Sequence, residues 1–172
     1  MKLYRGKIPD ISREIIQCLS KEGDIAVEAD LEQEAILDME AVLKEYLNFE
    51  RRVTEEAKNR LEAQQLPYSK LGRMRSQAAK DLGAPASDEI LPYLLEQILQ
   101  FLLHTQNVDE VFAEDATLRR KLAPILRKHM EMETELDREV RSKIRNLEEG
   151  TANFEVEYTR IMDEVKRKKR LD

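Results

Sequence analysis

The sequence predicts an all-α protein made of two tandem, pseudo-symmetric three-helix units with two long spine helices. Three observations predict it. The 172 residues are 37% charged and 5% aromatic, with no Trp and only five Gly and five Pro. That is the palette of amphipathic helices, in which Glu, Lys, Arg, Leu, Met and Ala are good formers. Apolar residues recur at helical spacing through most of the chain. The chain also matches itself at an offset of 83 positions. Ile8, Pro9 and Ile11 fall on Leu91, Pro92 and Leu94, Val42 and Leu43 on Ile125 and Leu126, and Leu47, Val53, Ala57 and Leu61 on Met130, Leu136, Val140 and Ile144. Such self-similarity marks two similar supersecondary units that bury their apolar faces on each other. The expected division is 1–83 and 84–172, packed as one domain.

The first helix follows Asp10 as cap, with Pro9 before it and Gly23 after it; Ile11, Ile15, Ile16 and Leu19 form its apolar stripe. Residues 23–30 alternate weakly and read as a short extended piece or a loop. Asp30 caps a long helix to about Gln64, in which Ala35, Met39, Val42, Tyr46, Phe49 and Val53 form a heptad seam. At about 1.5 Å per residue this is a rod of about 50 Å. Leu66-Pro67 ends it, because a residue before proline is pushed out of the helical region. A third helix spans about Tyr68 to Leu82 and closes at Gly83. Ser87-Asp88 starts the second copy. The helix from Ile90 to Leu103 is apolar on nearly every side and is expected to be buried within the chain or in an oligomer. Asp115 caps the second spine helix, expected over 115–149, with Leu118, Leu122, Ile125, His129, Met132 and Leu136 as its seam. Gly150 is a soft break before a last helix at about 151–169.

Formal net charge is −6, with acid and base interleaved. A large nucleic-acid footprint needs a basic field, so the balance disfavours one without removing a local patch. One cysteine, Cys18, forms no internal disulfide and suits a reducing compartment. No segment resembles a signal peptide or the roughly 20 apolar residues of a membrane span, and a cytoplasmic location is expected.

The sequence lacks GxGxxG, GxxxxGK[ST], CxxC and HExxH, and Glu-x-x-His is missing before both histidines. No cofactor, metal or catalytic residue is therefore assigned, and a non-enzyme is expected. His129 sits on the seam with Glu133 one turn on. It reads either as a base held by a carboxylate or as a packed ring bonded to Glu133 or to backbone. Packing is favoured because no nucleophile or oxyanion donor lies beside it. Cys18 lies on the apolar face of its helix, where a small hydrophobe is the simpler reading than a reactive thiol. Lys166, Arg167, Lys168, Lys169 and Arg170 are the one run of a single sign. They suit an RNA or anionic-surface contact, or a solvated helix end favoured by the macrodipole. On the third helix Lys70, Arg73, Arg75 and Lys80 surround Tyr68, Leu71 and Met74, a mixture that suits a partner helix held on soft apolar side chains with a basic rim. Residues 1–7 are either a docked segment or a free arm.

Three stretches carry a resemblance: MKLYRGKIPDISREI, LPYSKLGRMR and NVDEVFAEDATLRRKLAPILRKHM. Together they resemble the bacterial family catalogued as domain of unknown function 507, most clearly from Met1 to about Met130. The resemblance implies a small, soluble, helical bacterial protein and assigns no catalytic or binding residue. The expected function is a non-enzymatic binding or assembly protein, self-associating as a homodimer, with Tyr68, Leu71, Arg73, Met74 and Arg75 as its partner contacts. The alternative is an RNA- or ribosome-associated factor acting through Lys166–Arg170.

Overall fold

A computed structural model describes residues 1–149 and 151–172; the break expected at Gly150 lies outside the described residues. The chain folds as α1 (Ile8–Lys21), β1 (Ile25–Ala26), α2 (Glu32–Ala63), α3 (Leu71–Leu82), α4 (Ile90–His104), β2 (Glu110–Val111), α5 (Asp115–Met130), α6 (Glu133–Lys143) and α7 (Ala152–Lys168). The class is all-α. Two-residue strands β1 and β2 pair antiparallel, Ile25 opposite Val111 and Ala26 opposite Glu110. Of the weakly alternating stretch 23–30, only Ile25 and Ala26 are therefore strand, paired with a strand that the sequence did not signal.

Apolar stripes of α1, the first half of α2, α4 and α5 bury one another in the main core, where Ile11, Ile15, Met39, Leu43, Leu94, Ile98, Leu118 and Leu122 lie. The α4 perimeter is largely used inside the chain. It packs against α2, α5 and β2, and Leu91, Leu94, Leu95, Ile98, Leu99 and Leu102 are all buried. Only Leu103, 63% exposed, faces outward as a large apolar side chain of this helix. Of the residues that suggested a second copy, Leu91 and Leu95 are covered within the chain, Phe101 is half-buried and Leu103 stays exposed.

Two helical hairpins extend the core. The far half of α2 and α3 close over Val53, Ala57, Leu61, Met74 and Ala78. Helices α6 and α7 close over Leu136, Val140, Ile144, Phe154, Ile161 and Val165. The spine helix expected over 115–149 is not continuous. It ends at Met130 and restarts at Glu133. At the break, the Lys2 N–H donates to the Met130 carbonyl at 3.1 Å. In an unbroken helix that carbonyl receives the amide four residues on. The N-terminal segment takes that amide's place where α5 and α6 part.

Residues 1–7 are docked, not free. Leu3 is buried in the main core, and Tyr4 is buried in the α6–α7 cluster. The Gly6 N–H donates to the Leu171 carbonyl at 3.2 Å. A Cβ on residue 6 would lie 1.9 Å from the Arg170 carbonyl oxygen, so the chain crossing requires glycine there.

Several caps differ from expectation. Asp10 lies in the first turn of α1, which begins at Ile8 with Pro9 accommodated at its start. Leu31 and Glu114, rather than Asp30 and Asp115, occupy the N-cap positions of α2 and α5.

Candidate functional site

The open end of the α2–α3 hairpin is built by how α2 stops. Gln65 adopts φ of 52°, and the Leu66 and Gln65 amides donate to the carbonyls of Leu61 and Glu62 at 3.0 and 3.1 Å. This is a Schellman closure with glutamine in the left-handed position usually held by glycine. Pro67 then runs extended, a single tight turn spans Tyr68–Lys70, and α3 begins at Leu71. Helix α2 is thus ended by its own capping two residues before the proline.

The turn leaves Tyr68 73% exposed. A cleft of about 380 Å³ is lined by Gln64, Leu66, Lys70, Arg73, Met74 and Gln77, so that Tyr68 lies in sequence between two of its lining residues. Two cations and two amides face the cleft, and its lining contains no carboxylate. Neighbouring arginines on the hairpin are committed elsewhere: Arg60 to Glu56 and Asp81 at 2.7 and 2.6 Å, and Arg75 to Glu50 at 3.6 Å.

The structure separates the five expected contact residues. Tyr68 and Arg73 are exposed at the hairpin end. Leu71 is half-buried against the α2–α3 cluster. Met74, expected to help form an apolar floor for a partner, is only 4% exposed and packs in the α2–α3 cluster, so it offers little surface to one. Arg75 points to the other side, its Nε donating to Thr54 Oγ1 at 3.3 Å. There it borders a small cleft of about 70 Å³ with Tyr46, Glu50 and Ile90. Burial, reinforced by Glu50, raises the Tyr46 phenol well above its ordinary value and keeps it protonated. Gln64 and Gln77 were not found from the sequence, because isolated glutamines carry no pattern until folding places them on one cleft.

The basic run near the C-terminus is partly committed. Lys169 pairs with Glu139 at 3.0 Å, and Lys166 is half-buried. Arg170 takes φ of 53° to close α7. Arg167, Lys168 and Arg170 remain exposed. His129 bonds across elements: its Nε2 lies 2.7 Å from Glu14 Oε2 on α1, not against Glu133, and Lys128 Nζ lies 2.9 Å from Glu14 Oε1. Burial pushes the Cys18 thiol up and Glu22 adds to it, the opposite of an activated nucleophile. No group of three or more His, Cys, Asp or Glu placed to hold a metal occurs among the described residues, and no helix among them is long and apolar enough to cross a membrane.

Comparison with curated proteins gives no match. The family model described as "Protein of unknown function (DUF507)" matches residues 1–171, nearly the full length, and the chain belongs to that family.

Proposed function

We propose that the protein is a non-enzymatic binding protein that receives an anionic partner at the open end of the α2–α3 hairpin. The observation that carries this reading is the cleft with Lys70, Arg73, Gln64 and Gln77 on its walls and no carboxylate in its lining, with an exposed Tyr68 on the turn that also carries Lys70. Exposed aromatic and arginine side chains are the residue types that most often anchor interfaces. The Cys18 thiol donates to Glu22 Oε1 at 3.7 Å, and burial together with that carboxylate raises the thiol instead of activating it.

A photo-reactive amino acid at position 68 tests the reading in cells, with position 156, also exposed, as the control. The expected result is an adduct at 68 that disappears with Lys70→Glu/Arg73→Glu. Equal yields at 68 and 156, or an adduct indifferent to the charge reversal, overturns it.

The second reading, an RNA- or ribosome-associated factor acting through Lys166–Arg170, rests on exposed Arg167, Lys168 and Arg170. It predicts that neutralising those three matters more than Arg73. We also take 1–83 and 84–172 as two versions of one unit. Lys21 and His104 end the first helix of each half and Glu32 and Asp115 begin the next, both pairs at the 83-residue offset. Superposition of 8–83 on 91–166 in an experimental structure checks it.

A further inference from the structure

We propose that the partner at the hairpin end is single-stranded RNA, with the Tyr68 ring stacking on one base while Lys70 and Arg73 hold the flanking phosphates. This rests on the anionic-partner reading above and goes on to name the partner. An exposed phenol ring on the same turn as Lys70, with Arg73 in the first turn of the helix that follows, offers the two requirements of a single-strand site, a flat platform for a base and neutralising charge for the backbone. Gln64 and Gln77 add amide groups, able both to donate and to accept, at the cleft where a base edge or a ribose hydroxyl would sit.

An acidic helix fits less well. Helix-in-groove recognition needs a row of apolar anchor sites at i, i+3, i+4 and i+7. The apolar part of this cleft is Leu66, half-buried, and the small exposed edge of Met74. That is a floor for one flat group and no seat for a helix face. Duplex recognition needs an extended basic face, whereas the chain carries a net charge of −6. A contact with a few nucleotides at one protruding end keeps the rest of an RNA away from that field.

The test measures fluorescence anisotropy of a short, unstructured, 5′-labelled RNA and of a labelled oligoglutamate peptide with the full chain across a salt series. Folding of each variant is verified by thermal unfolding. Two phosphate contacts on a single strand predict a log–log salt slope of about −1.4. Tyr68→Ala is expected to weaken RNA binding about tenfold and Tyr68→Phe to retain it, because the π-face and not the hydroxyl is used. Arg73→Gln is expected to reduce the slope by about 0.7. RNA binding that survives Tyr68→Ala and Arg73→Gln but is lost with Arg167→Gln/Lys168→Gln/Arg170→Gln moves the site to the C-terminal helix end and overturns the proposal. Oligoglutamate binding that depends on Arg73, without RNA binding, overturns the RNA assignment and leaves the anionic cleft standing. Binding of neither probe overturns both.

Discussion

Glu14 shows how far a single residue's role lies from its neighbours in sequence. Burial alone would raise its carboxyl, but hydrogen bonds from His129 and Lys128 outweigh that and hold it below the usual carboxylate range. A depressed carboxylate contributes stability above its unfolded pKa, and that contribution is lost as pH falls through its folded value. Stability should therefore drop as pH goes below about 4.5, and Glu14→Gln should remove that part of the acid sensitivity at a cost of about 1 kcal/mol at neutral pH. Urea unfolding of both proteins at neutral and acidic pH checks this. The seam position of His129 was legible from heptad spacing, but its partner was not, since Glu14 sits on a different helix 115 positions away. Tyr158 is a second case. Burial first, and its 2.6 Å hydrogen bond to Asp137 next, push the phenol up to about 12. Its contribution should be complete below pH 10 and lost as pH rises through 12, which ultraviolet phenolate titration of wild type against Tyr158→Phe reads directly. Nothing in the sequence marks this pair either, because Asp137 and Tyr158 meet only once α6 and α7 fold together.

Among the elements, legibility followed how local the cause was. The ends of α1 and α3 were readable because Gly23 and Gly83 supply left-handed residues where the chain turns. The end of α2 was attributed to Leu66-Pro67, yet Gln65 already turns the chain there, and a non-glycine residue gives no such sign. Holding glutamine in the left-handed region costs about 1–2 kcal/mol, offset in part by the freedom glycine would add to the unfolded chain. Gln65→Gly is thus expected to stabilise the protein by about 0.5–1 kcal/mol, measured by thermal or urea unfolding. Helix α3 also carries a local electrostatic cost. Its first turn contains no acid, while Lys70 and Arg73 sit at the positive pole of its macrodipole. Arg73→Glu should stabilise the fold by a few tenths of a kcal/mol to about 1 kcal/mol while removing partner binding. A variant at once more stable and inactive would separate loss of binding from loss of folding. The split between α5 and α6 was illegible for the converse reason: the group that takes up the Met130 carbonyl there is Lys2, far away in sequence, and the 83-residue match predicts only a continuous helix like α2.

At the scale of the molecule, helical spacing of apolar residues made most of the helices readable, and most of the apolar perimeter of α4 is covered within the chain while Leu103 stays exposed. What apolar spacing could not supply is the docking of residues 1–7. This segment joins two apolar clusters, Leu3 in the main core and Tyr4 with Leu136, Val140 and Leu171 in the α6–α7 hairpin. It also forms two backbone bonds, to Met130 and Leu171. Helices α6 and α7 pack chiefly on each other. The N-terminal segment is therefore a principal tie between that hairpin and the body. Gly6→Ala forces a Cβ into backbone and should open the clasp, destabilising by about 1–3 kcal/mol as an overpacked contact does. Its signature should be regional. Hydrogen exchange should accelerate across 133–168 while α1 and α4, in the main core, keep their protection, because regions with few buried contacts to the body open below the global free energy. Uniform acceleration throughout the chain would instead make the two clusters one cooperative unit, and unchanged exchange would show that the clasp does not hold the hairpin.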